Sequence, residues 1–200
     1  MNKEEKVFWN RFTRWTLADI DTCYKYKANV GAAKLICAAV DAIGSFYAGR
    51  GYENDEQKIR PKGGSGKSET TRAGSRDAFI AFVSNYMPEI KKFILRIEDV
   101  GKKNGAELLY DHFRNGLIHE GLPNIGLGIV RRKDKKVLLP AEGYVALVNL
   151  PALKTTFKQA VKEYSKSLND NSQPERLHRW RDRYLYLKRF RMKNFRPDKK

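Results

Sequence analysis

Cysteine is nearly absent from this sequence: Cys23 and Cys37 are the only two. Two thiols at that spacing supply neither a disulfide framework nor the paired ligands of a zinc site. Long apolar runs are missing as well. The longest, Leu35 to Val40, stops at Asp41, far short of the roughly 20 residues that cross a bilayer. The opening Met1–Lys6 segment has no apolar stretch of the signal-peptide kind. These absences predict a cytoplasmic protein with reduced thiols and no membrane partner. Acids are also scarce, with 23 Asp and Glu against 40 Lys and Arg, a net charge of +17 and a pI near 9.9. Such a field attracts polyanions, nucleic acid being the commonest and anionic membrane the alternative.

What is present is enough for a core. With 41% hydrophobic and 12% aromatic residues over 200 positions, one domain can bury sufficient apolar surface without disulfides or metals. Helical spacing dominates. Asn2 and Glu5 have capping-box spacing, and Phe8, Phe12 and Trp15 follow at i, i+4 and i+7. Ala33, Ile36, Val40, Ile43 and Tyr47 mark a second helix that stops at Gly49-Arg50-Gly51. Residues 50–74 are polar, glycine-rich and aperiodic, a loop long enough to be functional or flexible. Helix resumes after Ser75, and Pro88 is read as the first-turn proline of a further helix carried by Ile90, Phe93, Ile97 and Val100. Asn104 and Glu107 repeat the capping-box spacing and open another amphipathic helix, with Leu109, Phe113 and Gly116 or Leu117 as its buried stripe.

After His119 the period changes. Leu127–Arg131, Val137–Leu139 and Tyr144–Val148 are short β-rich runs, predicting a hairpin or three-stranded meander over residues 126–149. Pro151 then opens a helix, and Asn169–Pro174 is a linker. The expected organisation is a mainly α helical domain over residues 1–170, with the β insertion, and a basic aromatic C-terminal helix or tail over residues 174–200. That tail holds eleven Lys and Arg against three acids, interleaved with Trp180, Tyr184, Tyr186, Phe190 and Phe195. Basic groups beside aromatics can follow a phosphate backbone while bases stack. The same Leu177-Trp180-Tyr184-Leu187 spacing also suits docking on the core, leaving the arginines outside.

The chemistry-bearing stretch is Asp111–Glu120. Asn115 and His119, at i and i+4, lie about 40° apart on an α-helix, whereas Arg114 and His119 lie about 140° apart. The arginine must therefore reach round, or the helix must end near His119, as Gly121-Leu122-Pro123 allows. A plain structural alternative pairs Arg114 with Asp111 and sets His119 at the helix end. Neither Arg114 nor His119 is expected in the core. Asp111, His112 and His119 lack the spacing and the carboxylates of a metal site. Gly63–Ser68 imitates a phosphate loop, but the full pattern wants glycine where Pro61 stands and a strand before it. Its amides could still hold phosphate.

The Arg-Asn-x-x-x-His spacing of Arg114, Asn115 and His119 resembles the signature of HEPN-domain proteins, many of them metal-independent ribonucleases. The resemblance covers residues 104–121. It implies an HEPN-like helical bundle, a homodimer whose two motifs line one cleft, and endoribonuclease activity of toxin or defence type on single-stranded RNA. Arg114, Asn115 and His119 then take the family's catalytic positions, with no metal and no cofactor. The alternative is a non-catalytic RNA- or nucleotide-binding module of the same fold. The stretch also looks like the toxin form in which a tyrosine two after the histidine is modified by an antitoxin. Here that position is Gly121, so an antitoxin or other regulatory partner would need another handle. His112, on nearly the same face as His119 and about 10 Å along the axis, is expected to flank the cleft and touch RNA, or to lie on the surface, rather than to catalyse. Further RNA contacts are expected from Arg176, Arg179, Arg183, Arg189 and Arg191.

Overall fold

The computed structural model describes residues 1–49, 75–97, 101–123, 126–142 and 144–194. The polar segment 50–74, including the Gly63–Ser68 imitation, lies outside them. The chain runs α1 (Lys3–Lys25), α2 (Asn29–Ala48), α3 (Ser75–Tyr86), the single turn α4 (Pro88–Lys91), β1 (Ile94–Ile97) and β2 (Gly101–Asn104). The motif helix begins as α5 (Gly105–Leu108) and continues as π-helical segments Leu109–Arg114 and Gly116–Glu120. Then come β3 (Leu127–Val130), β4 (Leu138–Ala141), β5 (Tyr144–Asn149), α6 (Leu150–Ser167) and α7 (Pro174–Asn194). The architecture is mainly α with a small strand region.

Both capping boxes form. Asn2 Oδ1 accepts the Glu5 N–H at 2.9 Å while Glu5 Oε2 accepts the Asn2 N–H at 2.7 Å. Asn104 and Glu107 do the same at the start of α5. Each box satisfies two N–H groups that a helix start leaves unpaired. α2 is the central element, packed on α1, α3, α6, α7 and the motif helix. Although Asp41 interrupts its apolar run, α2 is long and apolar enough, with a mean hydropathy of 1.4, to cross a membrane by length and composition. Here it is the core helix, with Ala33, Ile36, Val40 and Ile43 buried.

The core is largely aromatic. Trp180 of α7 is fully buried, stacked on Phe46 with ring centres 5.6 Å apart and set edge-on to Trp9 at 6.2 Å. Tyr164, Phe82, Tyr86 and Tyr47 continue the cluster. Through Trp180 and Tyr184, α7 thus packs into the same core as the segment before Asp170. Ion pairs at the edge reinforce the docking: Arg181 donates to both oxygens of buried Glu5, and Lys188 to Glu4.

Two local expectations are corrected. The helix expected from Pro88 to Val100 lasts one turn, and the chain then forms an antiparallel hairpin pairing Ile94 with Asn104 and Ile97 with Gly101. Short apolar runs fit helix and strand alike, so the periodicity misled. The return of the hairpin decides the matter. The Gly105 N–H donates to the Phe93 carbonyl at 2.7 Å, and a Cβ on Gly105 would sit 2.0 Å from the Ile90 carbonyl oxygen.

The second correction concerns the β insertion. β4 and β5 form a hairpin, but the sheet order is β3-β5-β4 with β3 parallel to β5, which is no meander. Because β5 sits between β3 and β4, the link 131–137 crosses the end of β5 to join them. Pro140 falls at the register irregularity of edge strand β4, where its missing N–H is tolerated.

Candidate active site

The motif helix packs Leu109, Phe113, Gly116 and Leu117 inward, the stripe expected from spacing. Its hydrogen bonds are not α-helical. The Asn115 N–H donates to the Tyr110 carbonyl, five residues back. A π-helix closes i→i+5 rings, so a residue five positions on lies roughly one turn above its partner. This removes the 140° separation of an α-helix. Arg114 Nη1 lies 3.4 Å from His119 Nε2 and donates to Asn115 Oδ1 at 2.9 Å. If the Arg114 N–H donates to Nε2, the His119 proton sits on Nδ1. The helix ends just beyond, at Gly121, whose φ of 80° is the left-handed stop that glycine accommodates.

Arg114 is anchored from below. Its Nε donates to Asp41 Oδ2 of α2 at 2.8 Å, its Nη2 donates to the same oxygen, and its guanidinium lies over the Tyr110 ring at 5.1 Å. The side chain is 15% exposed, so Arg114 is partly buried at the edge of the core. His119 is exposed. The structural alternative that paired Arg114 with Asp111 is also corrected. Asp111 instead takes Arg76 of α3 through both oxygens, at 2.8 and 3.0 Å, and Lys103 at 2.8 Å. Arg76, and behind it Lys103, hold the Asp111 carboxyl at about 2 against the opposing effect of burial. Lys103 Nζ is also 3.4 Å from His112 Nε2. Burial and the Lys103 charge press His112 below its ordinary value, outweighing Asp111. His112 therefore belongs to a cluster bracing α3 and β2 against the motif helix, beside the Arg114 group.

The sequence reading missed Asp41. A charge inside an otherwise apolar helix is the signal, because a carboxylate in that position needs a partner. One Asp41 oxygen, Oδ1, is buried without a hydrogen-bond partner. Cys37, one helical turn before Asp41, is no nucleophile. Burial first, and the Asp41 charge second, push its thiol up to about 12. Among the described residues no cluster of three or more His, Cys, Asp and Glu could hold a metal ion.

No family model, curated protein or solved structure matches this chain.

The C-terminal arginines lie on α7. Arg176 lies over the Tyr86 ring at 5.7 Å and borders an open groove with Glu163, Lys166 and Asp170. Arg179 donates to Glu175 at 3.3 Å, and Arg183 lies 5.2 Å from the Tyr186 ring centre. Arg189 is exposed on α7. Arg191 lies on the same helix, and its side chain is outside the described set.

Proposed function

We propose that this chain is a metal-independent endoribonuclease of HEPN type, acting on single-stranded RNA by attack of the substrate's own 2′-hydroxyl. The observation that carries the reading is the 3.4 Å approach of Arg114 Nη1 to His119 Nε2, with Asn115 between them in sequence and bonded to the same nitrogen. An exposed imidazole beside a fixed guanidinium supplies a proton acceptor and a charge stabiliser at one phosphate. The 2′-oxygen gives its proton to a neutral imidazole and bonds to phosphorus. The bond from phosphorus to the 5′-oxygen breaks, and that oxygen takes a proton. The products are a 2′,3′-cyclic phosphate and a 5′-hydroxyl. Arg114 Nη1 faces the charge that grows on the non-bridging oxygens, and Asn115 orients it.

A single imidazole cannot be both base and acid in one step. A homodimer with two facing motif helices provides the second His119. A toxin or defence role, restrained by an antitoxin or another regulatory partner, completes the proposal.

The second reading, a binder that does not cut, draws on Asp41. One oxygen of that carboxylate takes two N–H groups on one edge of the Arg114 guanidinium and offsets its charge, which suits holding a phosphate more than stabilising a transition state. One assay separates the two. Incubation with labelled single-stranded RNA in chelator is expected to give cyclic-phosphate ends and leave DNA intact. His119→Ala and Arg114→Ala should each lower the rate on the order of a hundredfold. Full cleavage by His119→Ala rejects the mechanism, and tight binding without cleavage by the wild type selects the second reading.

A further inference from the structure

The densest run of positive charge outside the C-terminal helix is Arg131-Arg132-Lys133-Asp134-Lys135-Lys136, the crossover between β3 and β4. All six residues are exposed. Lysine-rich surface loops are ordinarily loose, but this one is held at both ends. From inside, the fully buried side chain of Asn149 accepts the Arg132 N–H at 2.9 Å and donates to the carbonyls of Asp134 at 2.7 Å and Lys136 at 3.3 Å. Asp134 turns back to accept the Lys136 N–H at 2.7 Å. The one acid of the run is thereby spent on the turn's shape. Arg132, Lys133, Lys135 and Lys136 form no ion pair with the described residues.

From outside, Arg131 ties the crossover to the turn between α1 and α2. Its Nε donates to Asn29 Oδ1 at 2.6 Å, its Nη2 to the Tyr24 carbonyl at 2.7 Å, and its guanidinium lies 4.1 Å from the Tyr24 ring centre. The turn so joined presents Tyr26, 73% exposed, between Lys25 and Lys27. A large aromatic this exposed, with the Lys25 ammonium 5.6 Å from its ring centre, has no core-packing role in the described fold. It does fit single-stranded nucleic acid, which such surfaces bind by stacking bases on aromatics and pairing phosphates with Lys and Arg.

We propose that the Asn149-shaped crossover and the neighbouring Tyr26 turn form a second RNA-binding surface, with Arg132, Lys133, Lys135 and Lys136 on the phosphates and Tyr26 under a base. The RNA partner rests on the ribonuclease reading, and the surface gives that site purchase on strands longer than the cleaved step. The buried Asn149 amide fixes the backbone of the crossover before RNA arrives, so less backbone ordering accompanies binding.

The test compares the full-length protein with a variant carrying Arg132→Ser, Lys133→Ser, Lys135→Ser and Lys136→Ser, and with Tyr26→Ala. All five changes are at exposed positions, and circular dichroism checks the fold. Affinity for labelled oligouridine is followed against salt in a His119→Ala background. Each phosphate contact contributes about 0.7 to the slope of log affinity on log salt for single strands, so the quadruple variant should flatten the slope by roughly 2–3. Tyr26→Ala should weaken binding about fivefold or more with the slope unchanged. With His119 restored, both variants should cleave a dinucleotide, which spans only the scissile phosphate, at the wild-type rate. An unchanged slope in a folded quadruple variant overturns the proposal while leaving the ribonuclease reading intact. A flattened slope in a protein that cleaves nothing keeps the surface and rejects the ribonuclease. Unchanged RNA binding, with lost binding to vesicles of phosphatidylcholine and phosphatidylserine in equal parts, overturns it in favour of a membrane.

Discussion

Arg114 and His119 are five residues apart on one helix, yet their side-chain nitrogens lie 3.4 Å apart because the helix is wound as a π-helix there. The π form is rare and concentrates at functional sites. The winding converts a motif whose two ends diverge on an α-helix into a single cluster within one protomer. On the proposed mechanism, a dimer would supply the second proton-transfer group and would not be required to bring Arg114 to His119.

Replacing the two residues is expected to affect stability differently. Arg114→Ala strips the partner from Asp41 in a largely buried site, and should cost about 1.5–3 kcal/mol. His119 is exposed, so His119→Ala should stay within about 0.5 kcal/mol of wild type. Urea unfolding of both variants checks this, and equal losses would contradict the anchoring of Arg114.

Asp41 should be coupled to Arg114. Asp41→Ala alone should destabilise the fold and slow cleavage, because the guanidinium loses the carboxylate that aims Nη1 toward His119. The double variant Asp41→Ala with Arg114→Ala should be less destabilised than the sum of the single changes, since no buried charge is left alone. A double-mutant cycle in unfolding free energy measures the coupling, and strict additivity would refute it.

Removing residues 174–200 should unfold the protein instead of merely trimming charge. Trp180 is fully buried among Phe46, Trp9 and Tyr184, and Trp180→Ala alone should cost about 3–5 kcal/mol. Thermal melting of Trp180→Ala reads this directly. Exposed Arg189 is therefore the better position for testing a tail contact with RNA.

Acid should weaken the fold through Asp111. Its carboxyl titrates near 4 in the unfolded chain and at about 2 in the folded one. The stabilisation is thus complete above about pH 4 and is lost as pH falls toward 2, on the order of 2 kcal/mol in all. In Asp111→Asn that part of the acid limb should disappear, as urea titrations across pH 2–5 would reveal. His112, held below its ordinary value, should stay neutral into weakly acidic solution, which proton NMR can follow.

Gly105→Ala should be strongly destabilising, because its Cβ has no room against the Ile90 carbonyl. A wild-type melting temperature for that variant would mean that the β1–β2 hairpin does not close as described.

The sequence by itself determined what depends on neighbours in the chain. Capping at Asn2 and Asn104, the glycine stops at Gly49 and Gly121, the proline start of α6 and the inward stripe Leu109-Phe113-Leu117 are local matters of hydrogen bonding and period, and all were legible. The short runs were not. Ile94–Ile97 suits a helix or a strand, and only its pairing with Gly101–Asn104 decided between them. The β3-β5-β4 order likewise follows from a crossover that no local pattern announces. At the site, Arg114, Asn115 and His119 could be named from spacing, but their convergence could not, because α-helical geometry sets Arg114 and His119 on different faces. That convergence comes from i→i+5 winding and from Asp41, 73 residues earlier in the chain. A buried carboxylate finds its cation through space, and only the packing of α2 against the motif helix makes them neighbours.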